Sequence, residues 1–562
     1  MTRETNHREG PRAAGGETQR KHEERGLFNK LPSLCLLSSL CLCASVVSSA
    51  SAAPPAITYL YPAGAQRGTT AEVTVAGTFD ASTKVWASGK GVSVEAAKEK
   101  GKFKVAVAKD VVPGTYWLRA SNDDGASSLR PFIVGMLPEV MEKEPNDDFK
   151  KPQVLDNSSF TINGKLEKSG DVDCFAVTLK KGQTLVASLE ANRTLRSPMD
   201  AMLQILSADG FVLEENNDFH GLDPQLAFTA KRDGTYIARV YAFPATPDAS
   251  IRFFGSDACV YRLTLTTGAF ADHALPLAVS KGEPWRGAVE GWNITPESHK
   301  LSFAIGRGDE PFARAFGGDL VNPLRLRSEP HPTYGLKTAE PLKPPFSATG
   351  RIDAPAGEAR VPFEGKKGQA LALQVESRSF DLAVNPVVRL LDKDGKQLTR
   401  AEPAKLNGDT TLSFTPPADG PYTVAVSDLY TGGGSRHAFL LRVLSEPDYN
   451  LSIAADRFTI TPGKPTTIPV KVNRLLGFTK PVEIAAEGLP EGVKLEVTQP
   501  VKPDPNTVTV SLTADKAMSG SFRLVGKVKD EPKLTRTVRA ALTEFDETTA
   551  ELWLTVTAPP KK

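Results

Sequence analysis

The chain has 562 residues but little of what usually advertises chemistry: 5 Cys, 6 Met, 5 Trp, and aromatic residues at only 7%. So few cysteines exclude a disulfide-stapled scaffold. Five scattered tryptophans argue against a sugar-binding platform, which needs exposed rings held together. Neither sign of charge dominates, with 68 Lys and Arg against 66 Asp and Glu and a formal net charge of +2. That balance argues against a nucleic-acid or polyanion partner. Apolar residues recurring at helical spacing are scarce.

Catalytic signatures are missing too. The histidines are His7, His22, His220, His273, His299, His331 and His437, and no two have the i, i+4 spacing of a helical zinc-protease site. There is no Gly-x-Ser-x-Gly and no plausible Cys/His pair. Gly432-Gly433-Gly434-Ser435 lacks the Lys of a phosphate loop and reads as a flexible turn. His220, after Asn216-Asn217-Asp218-Phe219, reads as a surface histidine in a loop. Glycosidase carboxylate pairs are assembled by the fold, so sequence does not exclude them.

What is abundant is turn chemistry, with Pro 43 and Gly 45, between short alternating runs such as Val508-Thr509-Val510-Ser511-Leu512. This predicts an all-β protein, and the length predicts several domains. At the N-terminus, Arg20, Lys21, Arg25 and Lys30 precede an apolar run from Leu31 to Val47 and then Ala50-Ser51-Ala52. The pattern predicts an export signal over 1–52, cleaved after Ala52, with an uncleaved anchor as the alternative. Cleavage would leave Cys174 and Cys259. Strand phase argues against a bridge between them. Cys259 shares phase with Tyr261, Leu263 and Leu265, whereas Cys174 falls opposite Phe175, Val177 and Leu179 unless a bulge intervenes.

Residues 53–135 carry alternating Ala71-Glu72-Val73-Thr74-Val75 and the turn-strand Pro113-Gly114-Thr115-Tyr116-Trp117. They resemble a TIG-type immunoglobulin-like sandwich, in which Trp86 and Trp117 are expected to pack at the core or an edge. Residues 136–268 carry Glu144-Pro145-Asn146-Asp147, Asn163-Gly164-Lys165-Leu166 and Gly170-Asp171-Val172-Asp173-Cys174-Phe175. Lys181-Gly182-Gln183-Thr184-Leu185, Asp209-Gly210, Asp233-Gly234-Thr235-Tyr236 and Tyr261-Arg262-Leu263 follow. In this order they resemble the bacterial pre-peptidase C-terminal (PPC) domain, which implies a jelly-roll-type sandwich.

Within that segment, Glu142, Glu144 and Asn146 would point the same way in an extended chain, with Asp147 beside them. Ca²⁺ takes about 6–8 oxygen ligands. In calcium-binding members of the PPC family, the leading segment and the Asp-x-Asp loop supply ligands. The resemblance therefore implies a structural Ca²⁺ site at Glu142, Glu144, Asn146, Asp147, Asp171 and Asp173. Carboxylates gathered without a cation would repel one another. The bland alternative is a turn with solvated acids.

Both domain types recur. Residues 269–345 echo the first, with Pro276 through Gly282 paralleling Pro62 through Gly68, and end in a Pro-rich tract read as a linker. Residues 346–444 echo the second: Gly350-Arg351-Ile352, Lys367-Gly368-Gln369, Asp394-Gly395 and Asp419-Gly420-Pro421-Tyr422 all have counterparts. Ala356-Gly357-Glu358-Ala359 replaces the acidic loop, so this copy is expected to be metal-free. Residues 445–562 resemble accessory immunoglobulin-like domains of secreted bacterial hydrolases. The expectation is a string of five sandwiches, exported and non-catalytic. It would bind or scaffold an extracellular or cell-envelope protein or polysaccharide. An accessory partner of a secreted peptidase and a hydrolase with an unfamiliar site are the rival readings.

Overall fold

A computed structural model describes residues 53–558 apart from 248, 250–251, 307–308, 336–339 and 500–503. The expected export signal lies outside the described residues. Strands dominate; helix among the described residues is one short turn, Asn192–Leu195, and three 3-10 turns. The strands assemble into β-sandwiches, each filled by alternate residues of facing sheets.

In the first unit, a sheet containing Ala56–Tyr61 and Thr70–Thr78 faces one containing Gly114–Asn122 and Arg130–Gly135 around Val73, Val105, Leu118 and Phe132. Two five-stranded sheets follow. One holds Glu139–Met141, Ser159–Lys165 and Val260–Thr266. The other holds Gln153–Val154, Asp173–Leu179 and Gly234–Pro244. Cys259 lies in the core between them, and Cys174 lies in a separate buried cluster with Ala176, Leu206 and Ile237. Both thiols are free, as strand phase requires.

The echo between the first and third units is structural. Gly64–Gln66 pairs parallel to Ile133–Gly135, and Ala278–Ser280 pairs parallel to Arg327–Glu329. In each unit the ladder slips by a residue opposite the paralleled glycine, Gly77 or Gly291. The Pro-rich tract is less of a linker than its composition suggests. Thr333–Tyr334 adds a parallel strand beside Ser347, and Leu342 is buried in the core of the following sandwich.

The first sandwich packs on the last: Trp86 meets Trp553 edge-on with ring centroids 5.7 Å apart, and Trp117 meets Phe545 at 5.0 Å. Buried Arg119 ion-pairs with Asp456, and Arg130 with Glu544. Arg314 of the third unit donates to the Thr115 carbonyl at 2.7 Å. Trp86 and Trp117 are thus packing residues, but of an interface that alternation within one strand does not reveal.

Candidate functional site

The acidic site forms where one segment changes sheets. Glu139–Met141 runs parallel to Thr161–Asn163, and Gln153–Val154 runs parallel to Phe175–Ala176 in the opposite sheet. The intervening residues cross the end of the sandwich. They are not extended: the Asn146 N–H donates back to Glu144 Oε2 at 3.0 Å, and the Asn146 carbonyl accepts from the Cys174 N–H at 3.1 Å. A bend at Glu144, rather than strand alternation alone, therefore shapes the crossing that brings the side chains together.

All six predicted residues gather there. Glu142, Glu144 and Asp173 place carboxylate oxygens within 4.8 Å of one another, and so do Glu144, Asp147 and Asp171. Glu144 belongs to both groups. Asn146 Nδ2 donates to Glu142 Oε1 at 3.3 Å, and the Lys165 N–H donates to Glu142 Oε2 at 2.7 Å. Asp171 accepts from the Glu167 N–H. Asp173 is 0% exposed; one oxygen accepts from the Tyr261 hydroxyl at 2.6 Å, while its Oδ1 bonds to nothing. Asn146 Oδ1 is likewise buried and unpartnered.

The electrostatics are those of charges lacking a counterion. Burial raises Asp173 well above the usual carboxylate range, and neighbouring Glu142 adds to it. Burial also pushes Asp171 up to about 6, with Asp147 and Glu144 contributing. Glu142 and Glu144 are raised chiefly by burial as well. Among the described residues none of these five carboxylates ion-pairs with Lys or Arg. Nearby Lys165 turns instead to Glu167 at 3.0 Å and Asp257 at 3.1 Å. Glu139 and Glu329, by contrast, pair with Arg262 and Arg442, and buried Asp223 takes the backbone N–H groups of Ala191, Asn192 and Arg193. An all-oxygen donor set with two orphaned acceptors suits a hard cation such as Ca²⁺.

Two participants were not legible as site residues. Tyr261 holds Asp173, and Tyr61 of the first sandwich leans over the site with its hydroxyl 3.4 Å from the Asn163 carbonyl. Burial and the charges of Glu142 and Asp173 raise the Tyr61 phenol. The signal for Tyr261 was available in the second copy. Opposite Gly164 stands Tyr261, and opposite Gly350 stands Phe439. A Cβ on either glycine would strike the facing ring, at 2.1 and 2.2 Å. By the same registers Asp173 corresponds to Ala359. The copy has therefore lost the acid and its hydroxyl partner together.

His220 lies in a loop, as expected, but is not fully exposed. It is half-buried beside Phe219, whose face carries the Arg436 guanidinium at 4.3 Å, and burial lowers its pKa to about 4. That makes it a neutral packing residue between units.

Comparison with known proteins places a bacterial pre-peptidase C-terminal domain at residues 171–242. A probable subtilase-type serine protease of Deinococcus radiodurans is 29% identical over 161 residues, which are 23% of this chain and 22% of that protein. The chain thus spans about a fifth of that relative's length. Among solved structures, the Escherichia coli adhesin FdeC covers 38% of this chain and 66% of its own at 16% identity and a TM-score of 0.15. Sidekick-1 immunoglobulin domains 1–4 cover 88% and 96% at 11% identity and 0.18.

Proposed function

We propose that the acidic crossing at Glu142–Asp173 is a structural calcium clamp in an exported, non-catalytic multidomain scaffold of the cell envelope or extracellular space. The supporting observation is Asp173: fully buried, bonded to Tyr261 through one oxygen, and bare at the other among unpaired carboxylates. Bound Ca²⁺ would take oxygens from Glu142, Glu144, Asn146, Asp147, Asp171 and Asp173. The clamp would hold the segment that crosses between sheets, beside Tyr61 of the preceding sandwich. Binding should release protons, because raised carboxylates must ionise to ligate.

Calorimetric titration of Ca²⁺ into the metal-stripped protein in two buffers of different ionisation enthalpy tests this. One saturable site with proton release is expected, and absence of binding sinks the proposal. A second reading, accessory partner of a secreted peptidase, draws on the likeness to a subtilase-type protease. Co-purification with a peptidase from envelope extract would favour it.

A further inference from the structure

One strand of the last sandwich ends in a hairpin. Glu531–Leu542 turns through Thr543–Phe545 and returns as Glu547–Thr549, with Leu542 opposite Glu547. Asp546, in the left-handed region at φ 50°, closes the turn. The tip reads Glu544-Phe545-Asp546-Glu547, three acids around one ring. A turn this short, clamped by strand pairing, projects its side chains in fixed directions.

The four side chains go to four different units. Glu544 ion-pairs with Arg130 of the first sandwich. Phe545 lies under the Arg196 guanidinium of the second at 5.4 Å, and Trp117 and Arg130 of the first close around the same ring at 5.0 and 5.8 Å. Glu547 pairs with Arg325 of the third unit at 3.5 Å, and Asp546 with Lys405 of the fourth at 3.2 Å. Four units thus present one cation apiece to a single tip. Among the described residues Arg130, Arg325 and Lys405 ion-pair with no other acid. Nothing local to any one unit explains that match, because the cations lie on four separate stretches of chain.

The hold is of a kind that can be released. The acids are 47–84% exposed, and ion pairs open to solvent are individually weak and screened by salt. Their strength lies in number, since one contact made holds the others at high effective concentration.

We propose that this tip is an electrostatic latch, which holds the last sandwich against the other four units and releases when its charges are screened or reversed. Release uncovers Trp117 and Phe545 and leaves the buried Arg119–Asp456 pair as a tether between the first and last sandwiches. An aromatic face is thereby shut in one state and offered in the other.

The test is small-angle scattering and tryptophan fluorescence of the purified full chain at about 0.01 M and about 1 M salt, where screening lengths are roughly 30 and 3 Å. Wild type should enlarge its radius of gyration and red-shift its emission at high salt. Reversing the tip, by Glu544→Lys with Asp546→Lys and Glu547→Lys, should give that open signature at both salts. Adding Arg130→Glu, Arg325→Glu and Lys405→Glu should restore the closed signature at low salt, a rescue that a merely destabilised sandwich would not show. Should the tip variant not fold, the three cation reversals alone carry the comparison, with opening at low salt expected. If the reversed tip keeps the wild-type radius and emission at low salt, the tip is a passive contact and the proposal falls. It falls too if wild type is the same at both salts, or if the double reversal stays open. Calcium and chelator should leave these results alike, so the latch and the calcium clamp stand or fall separately.

Discussion

Replacing Asp171 and Asp173 together by Asn should reverse the order of stability of wild type and variant according to whether calcium is present. Without the metal, the native state holds these carboxyls above their unfolded values, so folding favours the protonated form. The stability this gives is fully present below the unfolded value and is lost as pH rises through the folded one. For Asp171 that window runs from 3.8 to about 6. Two pK units correspond to about 3 kcal/mol. Glu144 and Asp147 beside it are exposed, and screening through them reduces this to roughly 1–2 kcal/mol. At neutral pH the chelated variant should therefore melt above chelated wild type. With calcium at a hundredfold over its dissociation constant, wild type should gain about 2.7 kcal/mol and the variant essentially nothing. That gain amounts to roughly 5–11 °C for a unit of this size. Scanning calorimetry of both proteins, with calcium and with chelator at neutral pH, reads all four values. If chelator leaves wild type unmoved, or if the variant loses equally in both conditions, the reasoning fails.

The interface between the first and last sandwiches includes the Arg119–Asp456 ion pair, so Arg119→Ala should cost roughly 1–3 kcal/mol, Asp456 keeping only Arg457. Calorimetry should then show the two sandwiches melting separately; an unchanged single profile would refute their coupling. Burial alone would raise Glu329, but Arg442, with His331 and Arg327 beyond it, holds it below its ordinary value. The stability it contributes is present above the unfolded value of 4.5 and is lost as pH falls, so Glu329→Gln should flatten the acid limb of a urea-stability profile. Burial pushes the Cys174 thiol up to about 12. A thiol reagent should find Cys174 and Cys259 unreactive in the folded protein and both free once it is denatured without reductant.

Alternation exposed the sandwiches because strand side chains answer to a period of two wherever one face is buried. It exposed the separation of Cys174 from Cys259 for the same reason. It could not show that Gly114–Asn122 is buried on both faces: Leu118 and Ala120 fill a core, while Trp117 and Arg119 meet another sandwich. Nothing local distinguishes such an outer face from a solvated one, which is why closure of the chain and the half-burial of His220 went unseen. The acids were legible as a set because oxygen donors of that density are rare. Their convergence was expected from extended backbone, whereas the crossing bends at Glu144. Tyr261 hid among core residues because its ring packs like any other and only its hydroxyl reaches Asp173.

The two PPC-like sandwiches separate what the fold requires from what the site requires. Gly164 and Gly350 persist because an aromatic ring lies on each, and no side chain fits beneath it. That is a packing demand, and both copies meet it. The hydroxyl of Tyr261 and the carboxylate of Asp173 have no such role. Where the acid becomes Ala359, the ring becomes Phe439, and the strand still pairs along its length from Glu358 to Gly365. The acid of that loop, Glu358, is paired with Arg360 and Arg389. The second copy therefore neutralises its acid with guanidinium groups, whereas the first leaves five carboxylates without a basic partner among the described residues. A buried carboxylate that the architecture does not need, kept beside four others and held in place by a dedicated hydroxyl, costs stability unless something positive occupies the gap. The same argument predicts that Tyr261→Phe, which copies the change seen in the second sandwich, should leave the metal-free fold almost untouched. It should weaken calcium binding several-fold, because Asp173 would lose the bond that aims it.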